Sequence, residues 1–227
     1  MTKLEGIKAC VFDAYGTLFD VHSPVARLAA SVGPKADAVS QLWRDKQLQY
    51  TWLRSLMGTH ADFWIVTGEA LRYALERNEV EDETLRNALM QAYMTLDAYD
   101  DVAPTLKALR KSGLKTAILS NGTPDMLSSA VRSAGLDDLF DEVLSIERVG
   151  IYKPDRRVYQ LASDSLRVEP RQICFVSTNA WDASGAAHFG FQTVWMNRFN
   201  LIPENLPGEL AGTIKGLREL VAVVANG

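Results

Sequence analysis

The amino-acid sequence predicts an α/β protein in which a doubly wound, Rossmann-like parallel sheet carries an inserted all-helical cap domain. Two patterns support this prediction. Five short, continuously apolar runs alternate with helix-forming segments along most of the chain, which is typical of an open parallel sheet covered by helices on both faces. A long helix-rich stretch separates the first of these runs from the second.

The five apolar runs are predicted to be buried strands, because they lack the alternation of a strand with one exposed face. They span residues 8–12, 115–119, 142–144, 173–176 and 192–196. Helices are expected between the later strands, where proline opens and glycine closes several segments. These helices cover residues 102–112, a segment opened by Thr123 and Pro124 and closed by Gly135, a segment after Pro154, and residues 180–188.

Residues 20–97 are predicted to form the cap, and residues 1–19 and 98–227 the core domain. The cap segment is rich in helix formers, and apolar residues such as Leu42, Leu48 and Leu53 recur along it. It contains little that resembles a strand, and a segment of this length is too long for a loop within a compact domain. A separate helical domain is therefore the expected arrangement.

The charge and hydropathy of the chain argue against two classes of partner. The formal net charge is −4 and no basic run is present, so neither nucleic acid nor a membrane surface is an expected partner. No apolar stretch approaches the roughly 18 to 20 residues that cross a bilayer, and the amino-terminal segment lacks a signal-peptide core. A cytoplasmic location is the expectation.

The cysteines and histidines show no metal-binding spacing. Cys10 and Cys174 each lie inside an apolar run, which favours buried reduced thiols over a disulfide or a metal site. His22, His60 and His188 are scattered along the chain without motif partners. We expect all three to be surface or packing residues.

Polar residues follow each apolar run at the point where the predicted strand ends. They are Asp13, Ser120 with Asn121, Ser145, Ser177 with Thr178 and Asn179, and Asn197. Open parallel sheets bind their ligands at the carboxyl ends of the strands. Five strands that all end on polar groups therefore predict one site at this edge of the sheet.

Four short segments resemble, in order, the four motifs of the haloacid dehalogenase (HAD) superfamily. They are FDAYGTLFD at residues 12–20, LSNG at 119–122, YKPD at 152–155 and FVSTNAWDA at 175–183. The segment WRDKQLQYTWLRSLMG at residues 43–58 is similar to the cap of the L-2-haloacid dehalogenases. The resemblance covers essentially the whole chain, and it implies a covalent nucleophile at Asp13.

Two of the four motifs depart from those of the phosphatases of this superfamily. Those enzymes typically carry a second aspartate two residues after the nucleophile, where this chain has Tyr15, and Gly-Asp in the fourth motif, where it has Ser177 and Thr178. Only Asp182 remains as an acid there, so a magnesium site would be poor and the acid that protonates a phosphoester leaving group is missing. A dehalogenase without metal or cofactor is therefore expected. A magnesium-dependent small-molecule phosphatase is the second hypothesis, and a catalytically silent binding protein on the same fold is the third.

The expected reaction is hydrolysis of a small (S)-2-haloacid to the (R)-2-hydroxyacid. Halide leaves without being protonated, so Asp13 can displace it and form an ester, which divides one difficult step into two. Lys153 favours the ionised form of Asp13 and supplies the charge that a metal would provide. The configuration inverts, because backside attack occurs once at the chiral carbon. The expected partners are a small 2-halocarboxylate and a halide ion, and the resemblance also implies a homodimer.

The resemblance assigns roles to further residues, although charge and packing patterns alone leave simpler explanations open. Arg44 is equally well explained as a surface arginine in an intrahelical pair, Thr17 as a turn residue and Tyr159 as a packing residue. The resemblance implies that Arg44 and Asn121 capture the halide and that Asp182 and Asn179 handle the water of the second step. It implies hydrogen bonds from Thr17 and Ser177 to the Asp13–Lys153 pair, a polar contact from Tyr159, and substrate binding by Ser120 and by the backbone N–H of Ala14. The apolar wall of the site is implied to consist of Tyr15, Leu48, Phe63 and Trp181.

Overall fold

A parallel sheet of six strands lies at the centre of the protein. The structure is a computed structural model that describes residues 4–224. The strands are β1 (Ala9–Phe12), β2 (Lys115–Ser120), β3 (Glu142–Ser145), β4 (Ile173–Ser177), β5 (Gln192–Met196) and β6 (Gly212–Ile214). Their order is β3-β2-β1-β4-β5-β6, and every neighbouring pair is parallel. The predicted fold class and all five predicted strands are thus confirmed, within one residue at each end.

Helices pack on both faces of the sheet and form the inserted cap. The cap helices are α1 (Ser23–Arg27), α2 (Ala29–Val32), α3 (Ala36–Met57), α4 (Phe63–Arg77) and α5 (Glu83–Tyr93); the core helices are α6 (Val102–Lys111), α7 (Pro124–Ser133), α8 (Arg156–Leu166), α9 (Ala180–Phe189) and α10 (Leu220–Val224). The four helices predicted between the later strands correspond to α6–α9. Among residues 4–224, none of the helices combines the length and the apolar composition that crossing a membrane requires.

The chain enters and leaves the cap side by side. The Asp20 backbone N–H donates to Asp97 O at 2.8 Å, and the Tyr99 N–H donates to Leu18 O at 3.1 Å. Within the cap, α3 and α4 pack together, and Trp43 Nε1 on α3 donates to a backbone carbonyl of α4 at 2.9 Å. The cap boundary at residues 20 and 97 remains a prediction, which this paired crossing supports.

The sheet order places a topological switch point between β1 and β4. The chain winds from β1 towards β2 and β3 on one side and from β4 towards β5 and β6 on the other. Crevices at such points, at the carboxyl ends of the strands, are the usual ligand sites of this architecture. Asp13 follows β1 directly, and Ser177 ends β4, so both lie beside the switch point.

The cysteines are buried, and two of the three histidines lie beside polar side chains. Cys10 and Cys174 face each other across β1 and β4, and both are buried free thiols, as predicted. The Nδ1 atom of His22 lies 2.7 Å from a serine hydroxyl, and His60 Nε2 lies 2.9 Å from a glutamate of the core. His188 is exposed at the end of α9.

Gly185 in α9 lies where α8 and α9 approach too closely for a side chain. A Cβ atom there would lie 2.6 Å from Tyr159 Oη and 2.7 Å from Pro154 Cβ. Alanine favours a helix over glycine by about 1 kcal/mol, but overpacking costs about 1–3 kcal/mol, and neither neighbouring atom is the end of a flexible side chain. We therefore expect Gly185→Ala to lower the free energy of unfolding and the melting temperature.

Gly68→Ala in α4 is the matched control for this change. Its Cβ would meet Met90 Cε at 3.5 Å, an ordinary contact with a flexible side chain, so the gain in helix propensity should raise stability by up to about 1 kcal/mol. Urea and thermal unfolding of both variants measure the difference. A Gly185→Ala protein as stable as the Gly68→Ala protein would show that α8 and α9 separate without cost.

Candidate active site

Asp13 lies at the bottom of the crevice and is only 6% exposed. Its Oδ2 accepts hydrogen bonds from Asn179 Nδ2 at 2.8 Å and from Thr17 Oγ1 at 3.2 Å. Its Oδ1 lies 3.1 Å from Lys153 Nζ. Both carboxylate oxygens are therefore held by donors from three different parts of the chain.

A tight turn after β1 brings Thr17 back beneath Asp13. The carbonyl of Ala14 accepts hydrogen bonds from the N–H groups of residues 17–19, and Gly16 adopts a φ of +89°, a conformation that favours glycine. Thr17 Oγ1 also accepts a hydrogen bond from the Thr178 N–H at 2.9 Å. One hydroxyl thus connects the turn after β1 with the turn after β4.

Lys153 is 1% exposed, and its ammonium group lies between two carboxylates. Its Nζ is 3.1 Å from Asp13 Oδ1 and 2.9 Å from Asp182 Oδ2. Burial lowers the pKa of Lys153, but the charges of both carboxylates and the hydrogen bonds to them outweigh this effect, so the pKa lies above its ordinary value. The backbone N–H of Lys153 donates to Asn121 Oδ1 at 3.1 Å, which links the second motif to the third.

Asp182 lies in the first turn of α9 and is fully buried. Tyr159 Oη donates to its Oδ1 at 2.8 Å, and Lys153 contacts its Oδ2. Burial raises the pKa of Asp182 to about 6 against the opposing charge of Lys153, and the charge of Asp13 adds to the rise. Burial and the neighbouring Asp182 carboxylate raise the pKa of Tyr159 well above its ordinary value, so that its hydroxyl remains a donor.

Arg44 extends from cap helix α3 onto the core. Its Nη2 donates to Tyr15 O at 3.1 Å and to Asn179 Oδ1 at 3.3 Å, and its Nη1 donates to Gln47 Oε1 at 2.8 Å. Because Asn179 also donates to Asp13, a single amide connects the nucleophile candidate with the guanidinium group of the cap.

Aromatic and aliphatic side chains surround these polar groups. The rings of Tyr15 and Phe63 are both buried with centroids 5.5 Å apart, and the indoles of Trp181 and Trp52 meet edge to face at 5.2 Å. Leu48 lies half-buried on α3, one helical turn beyond Arg44. Tyr15 Oη and the two indole Nε1 atoms are buried and have no hydrogen-bond partner among the residues the structure describes.

The structure corrects the predicted contact of Ser177. Its hydroxyl accepts a hydrogen bond from the Asn179 backbone N–H at 3.1 Å, and Thr17 alone of the two predicted hydroxyls contacts Asp13. A serine two residues before Asn179 closes a local turn, a contact that forms between near neighbours in the chain without reaching the Asp13–Lys153 pair. Ser120, the last residue of β2, is fully buried, and its hydroxyl accepts from the Gly122 N–H at 3.1 Å.

Three cap residues beside the site are absent from the sequence predictions. Gln47, Thr67 and Tyr93 are all buried and form a connected set of hydrogen bonds behind Arg44. The signal for Gln47 is its position three residues after Arg44, on the same face of a helix. The other two lie on different helices, and no local pattern points to them.

Comparison with known proteins shows which family the chain resembles. A family model described as haloacid dehalogenase-like hydrolase matches residues 7–190. The (S)-2-haloacid dehalogenase 4A of Burkholderia cepacia is 49% identical over 98% of this chain and 97% of that protein. The (S)-2-haloacid dehalogenase of Pseudomonas sp. strain YL is 44% identical over 96% of this chain and 94% of that protein.

A solved structure with a covalently bound ligand shares the fold. It is the L-2-haloacid dehalogenase of Xanthobacter autotrophicus with chloropropionic acid covalently bound, which matches with a TM-score of 0.90 at 38% identity, over 96% of this chain and 98% of that chain. From these similarities and the matching architecture, the chain belongs to the haloacid dehalogenase-like hydrolases and, within them, to the (S)-2-haloacid dehalogenase family.

Proposed function

We propose that the protein hydrolyses small (S)-2-haloacids to (R)-2-hydroxyacids, with inversion, through a covalent ester on Asp13. The observation that carries this proposal is the position of Lys153 Nζ, 3.1 Å from Asp13 Oδ1 and 2.9 Å from Asp182 Oδ2. A buried ammonium group here supplies the counter-charge to the Asp13 carboxylate within an enclosure of apolar side chains. An ionised carboxylate is the form that attacks carbon.

In the first step, an oxygen of Asp13 attacks carbon 2 of the substrate from the side opposite the halogen. The new carbon–oxygen bond forms as the carbon–halogen bond breaks, and the halide leaves with the electron pair. Arg44 and Asn121 receive this anion, while Ser120 and the backbone N–H of Ala14 hold the substrate carboxylate. The apolar wall of Tyr15, Leu48, Phe63 and Trp181 encloses the alkyl group.

In the second step, water attacks the carbonyl carbon of the Asp13 ester. Asp182 accepts a proton from the water, Asn179 orients it, and the alkoxide that departs takes the proton from Asp182. Asp13 then releases the second proton of the water, so each turnover yields one hydroxyacid, one halide and one proton. The oxygen that the water supplies stays on Asp13, and the chiral carbon is not attacked again.

The phosphatase hypothesis has less support from the same residues. A phosphatase of this superfamily needs an acid where this chain has Tyr15, and burial together with nearby Tyr93 and Asp13 raises the pKa of the Tyr15 hydroxyl well above its ordinary value. Among residues 4–224, no group of three or more His, Cys, Asp or Glu side chains is placed to hold a metal ion. Lys153 Nζ lies at the position between two carboxylates where a cation would be needed.

We further propose that two copies of the chain associate through the cap, in the cytoplasm. Leu56 and Met57 at the end of α3 are 84% and 65% exposed, and Met57 lines one surface groove together with the exposed Leu53 of α3 and Tyr73 of α4. Large exposed apolar patches often mark protein–protein contacts, and a second copy would cover this one. The two free thiols are consistent with a reducing compartment.

Covalent catalysis by Asp13 makes a direct isotopic prediction. A single turnover of L-2-chloropropionate in heavy-oxygen water should place one heavy oxygen in the peptide that contains Asp13, because water attacks the ester carbonyl. Mass spectrometry of a digest measures the label. Asp164→Asn, at an exposed carboxylate on α8, is the control and should label like the wild type. Label found only in the lactate, or chloride release that requires added magnesium, would contradict the proposal.

The raised pKa of Asp182 predicts how the activity depends on pH. Below about pH 6 the Asp182 carboxyl binds a proton and no longer accepts one from water, so hydrolysis of the ester should slow about tenfold per pH unit on the acid side. Stopped-flow halide release and quenched-flow mass spectrometry separate the two steps. Asp182→Asn should accumulate the Asp13 ester after rapid mixing. If the rate of ester hydrolysis in Asp182→Asn still fell at low pH as it does in the wild type, Asp182 would not be the residue that activates the water.

The proposed dimer predicts a change of mass in solution. Leu56→Asp places a charge in the exposed apolar patch of α3 and should yield a monomer, because burying an unpaired carboxylate is costly. Light scattering after gel filtration measures the mass. Ile202→Asp is the matched control, since Ile202 is 89% exposed and lies outside the cap. Equal masses for the wild type and both variants would contradict a dimer through this face.

A further inference from the structure

We propose that Gln47 positions Arg44 for anion binding and leaves the positive charge of the arginine uncompensated. Gln47 lies on α3, three residues beyond Arg44, and is 1% exposed. A buried carboxamide requires hydrogen-bond partners for both its oxygen and its nitrogen. The inference rests on the proposed function, which makes halide and haloacid the anions that Arg44 meets.

The amide of Gln47 is satisfied at both ends. Its Nε2 lies 2.7 Å from Thr67 Oγ1 and 3.1 Å from Tyr93 Oη. Its Oε1 accepts from Arg44 Nη1 at 2.8 Å and from Tyr93 Oη at 3.2 Å. The side chain therefore forms a bridge between the α4 and α5 helices of the cap and the guanidinium group at the active site.

Hydrogen-bond chemistry fixes which way this amide points. The Thr67 hydroxyl lies 2.6 Å from Phe63 O, to which it donates its single proton, so towards Gln47 it can only accept. Arg44 has donors and no acceptor. The nitrogen of Gln47 must face Thr67 and its oxygen must face Arg44, and a flipped amide would lose both contacts.

The acceptors that hold Arg44 are all neutral. They are the side-chain oxygens of Gln47 and Asn179 and the backbone oxygen of Tyr15. Within residues 4–224, no carboxylate lies at ion-pair distance from Arg44. The acid next to it in sequence, Asp45, instead accepts from Gln41 Nε2 at 2.8 Å.

Neutral acceptors set the direction of the guanidinium group without cancelling its charge. A carboxylate at position 47 would hold Arg44 in the same direction but would neutralise it, and an anion would then gain little by binding there. Gln47 acts from the same helix as Arg44, so it maintains this direction independently of the contacts with Tyr15 and Asn179 on the core. Gln47 is thus a positioning residue that acts through Arg44.

Two substitutions of similar shape separate this role from a structural one. Gln47→Met removes the acceptor, and Gln47→Glu keeps an acceptor but adds a negative charge. Both should weaken bromide binding, measured by calorimetry on the resting protein, and both should lower kcat/KM for L-2-chloropropionate, by about tenfold to a hundredfold, the range for a hydrogen bond to a charged group. Gln47→Glu loses only the donor to Thr67 Oγ1, whereas Gln47→Met loses both the donor and the acceptor. A purely structural role therefore predicts the smaller loss for Gln47→Glu, and neutralisation of Arg44 predicts the larger loss for Gln47→Glu.

The Gln47→Glu protein should also show a distinctive pH profile. Protonation of the new carboxyl restores a neutral side chain, so the ratio of its bromide affinity to that of the wild type should rise as the pH falls. Thr51→Val is the matched control, because Thr51 is fully buried on the same helix and, among residues 4–224, its hydroxyl bonds only to Leu48 O. It should bind bromide with wild-type affinity, and thermal unfolding of each variant reports its folding.

A double-mutant cycle with Arg44→Lys tests whether Gln47 acts through Arg44. In the Arg44→Lys background, Gln47→Met should change kcat/KM by less than about threefold, because the free-energy effects of two substitutions in one hydrogen-bond network do not add. Equal bromide affinity in the wild type, Gln47→Met and Gln47→Glu would overturn the inference, as would an additive cycle. Bromide binding requires no turnover, so comparing it between variants tests the role of Gln47. Turnover of L-2-chloropropionate by the wild type tests the proposed function separately.

Discussion

The buried ammonium group of Lys153, held between Asp13 and Asp182, is the interaction on which the rest of the structure depends. A charge inside a protein is costly unless it is paired, so removing Lys153 would leave two buried carboxylates without their counter-charge. The three groups come from the end of β1, the segment before α8 and the first turn of α9. Their contacts at 2.9 and 3.1 Å require β1 and β4 to be neighbours and α8 to pack closely on α9.

The cap completes a charge balance that the core leaves open. Two carboxylates and one ammonium group carry a net charge of −1, which opposes the approach of an anionic substrate. Arg44 extends from α3 to the backbone oxygen of Tyr15 and the side chain of Asn179 and adds the missing positive charge. Phe63 comes from the cap as well and packs on Tyr15. The same helical domain therefore contributes both the positive charge and an apolar enclosure. The enclosure reduces the amount of water that would screen the charge of Arg44.

The sequence predicted most of the fold, because its signals are local. Continuous apolar runs identify β1–β5, and proline and glycine mark the ends of several helices. β6 was missed since its three residues, Gly212–Ile214, form no apolar run and become a strand only by pairing with β5. The hydrogen bond predicted from Ser177 to the Asp13–Lys153 pair is not formed, and the Ser177 hydroxyl accepts from the Asn179 N–H of the local turn instead. Gln47 was overlooked because a glutamine within a helix usually marks an exposed face.

What the sequence by itself determined is the chemistry that the site can perform. Asp13, Lys153 and Tyr15 are residue identities: the proposed nucleophile, its counter-charge and the absence of a second acid two residues after Asp13. Only the tertiary structure decided which atoms meet. Asn179 lies 166 positions from Asp13 and Lys153 lies 140 positions from it, so no local pattern encodes their contacts. The same holds for the burial that raises the pKa of Asp182 and for the direction of the Gln47 amide, since both arise from neighbours that folding brings together from distant parts of the chain.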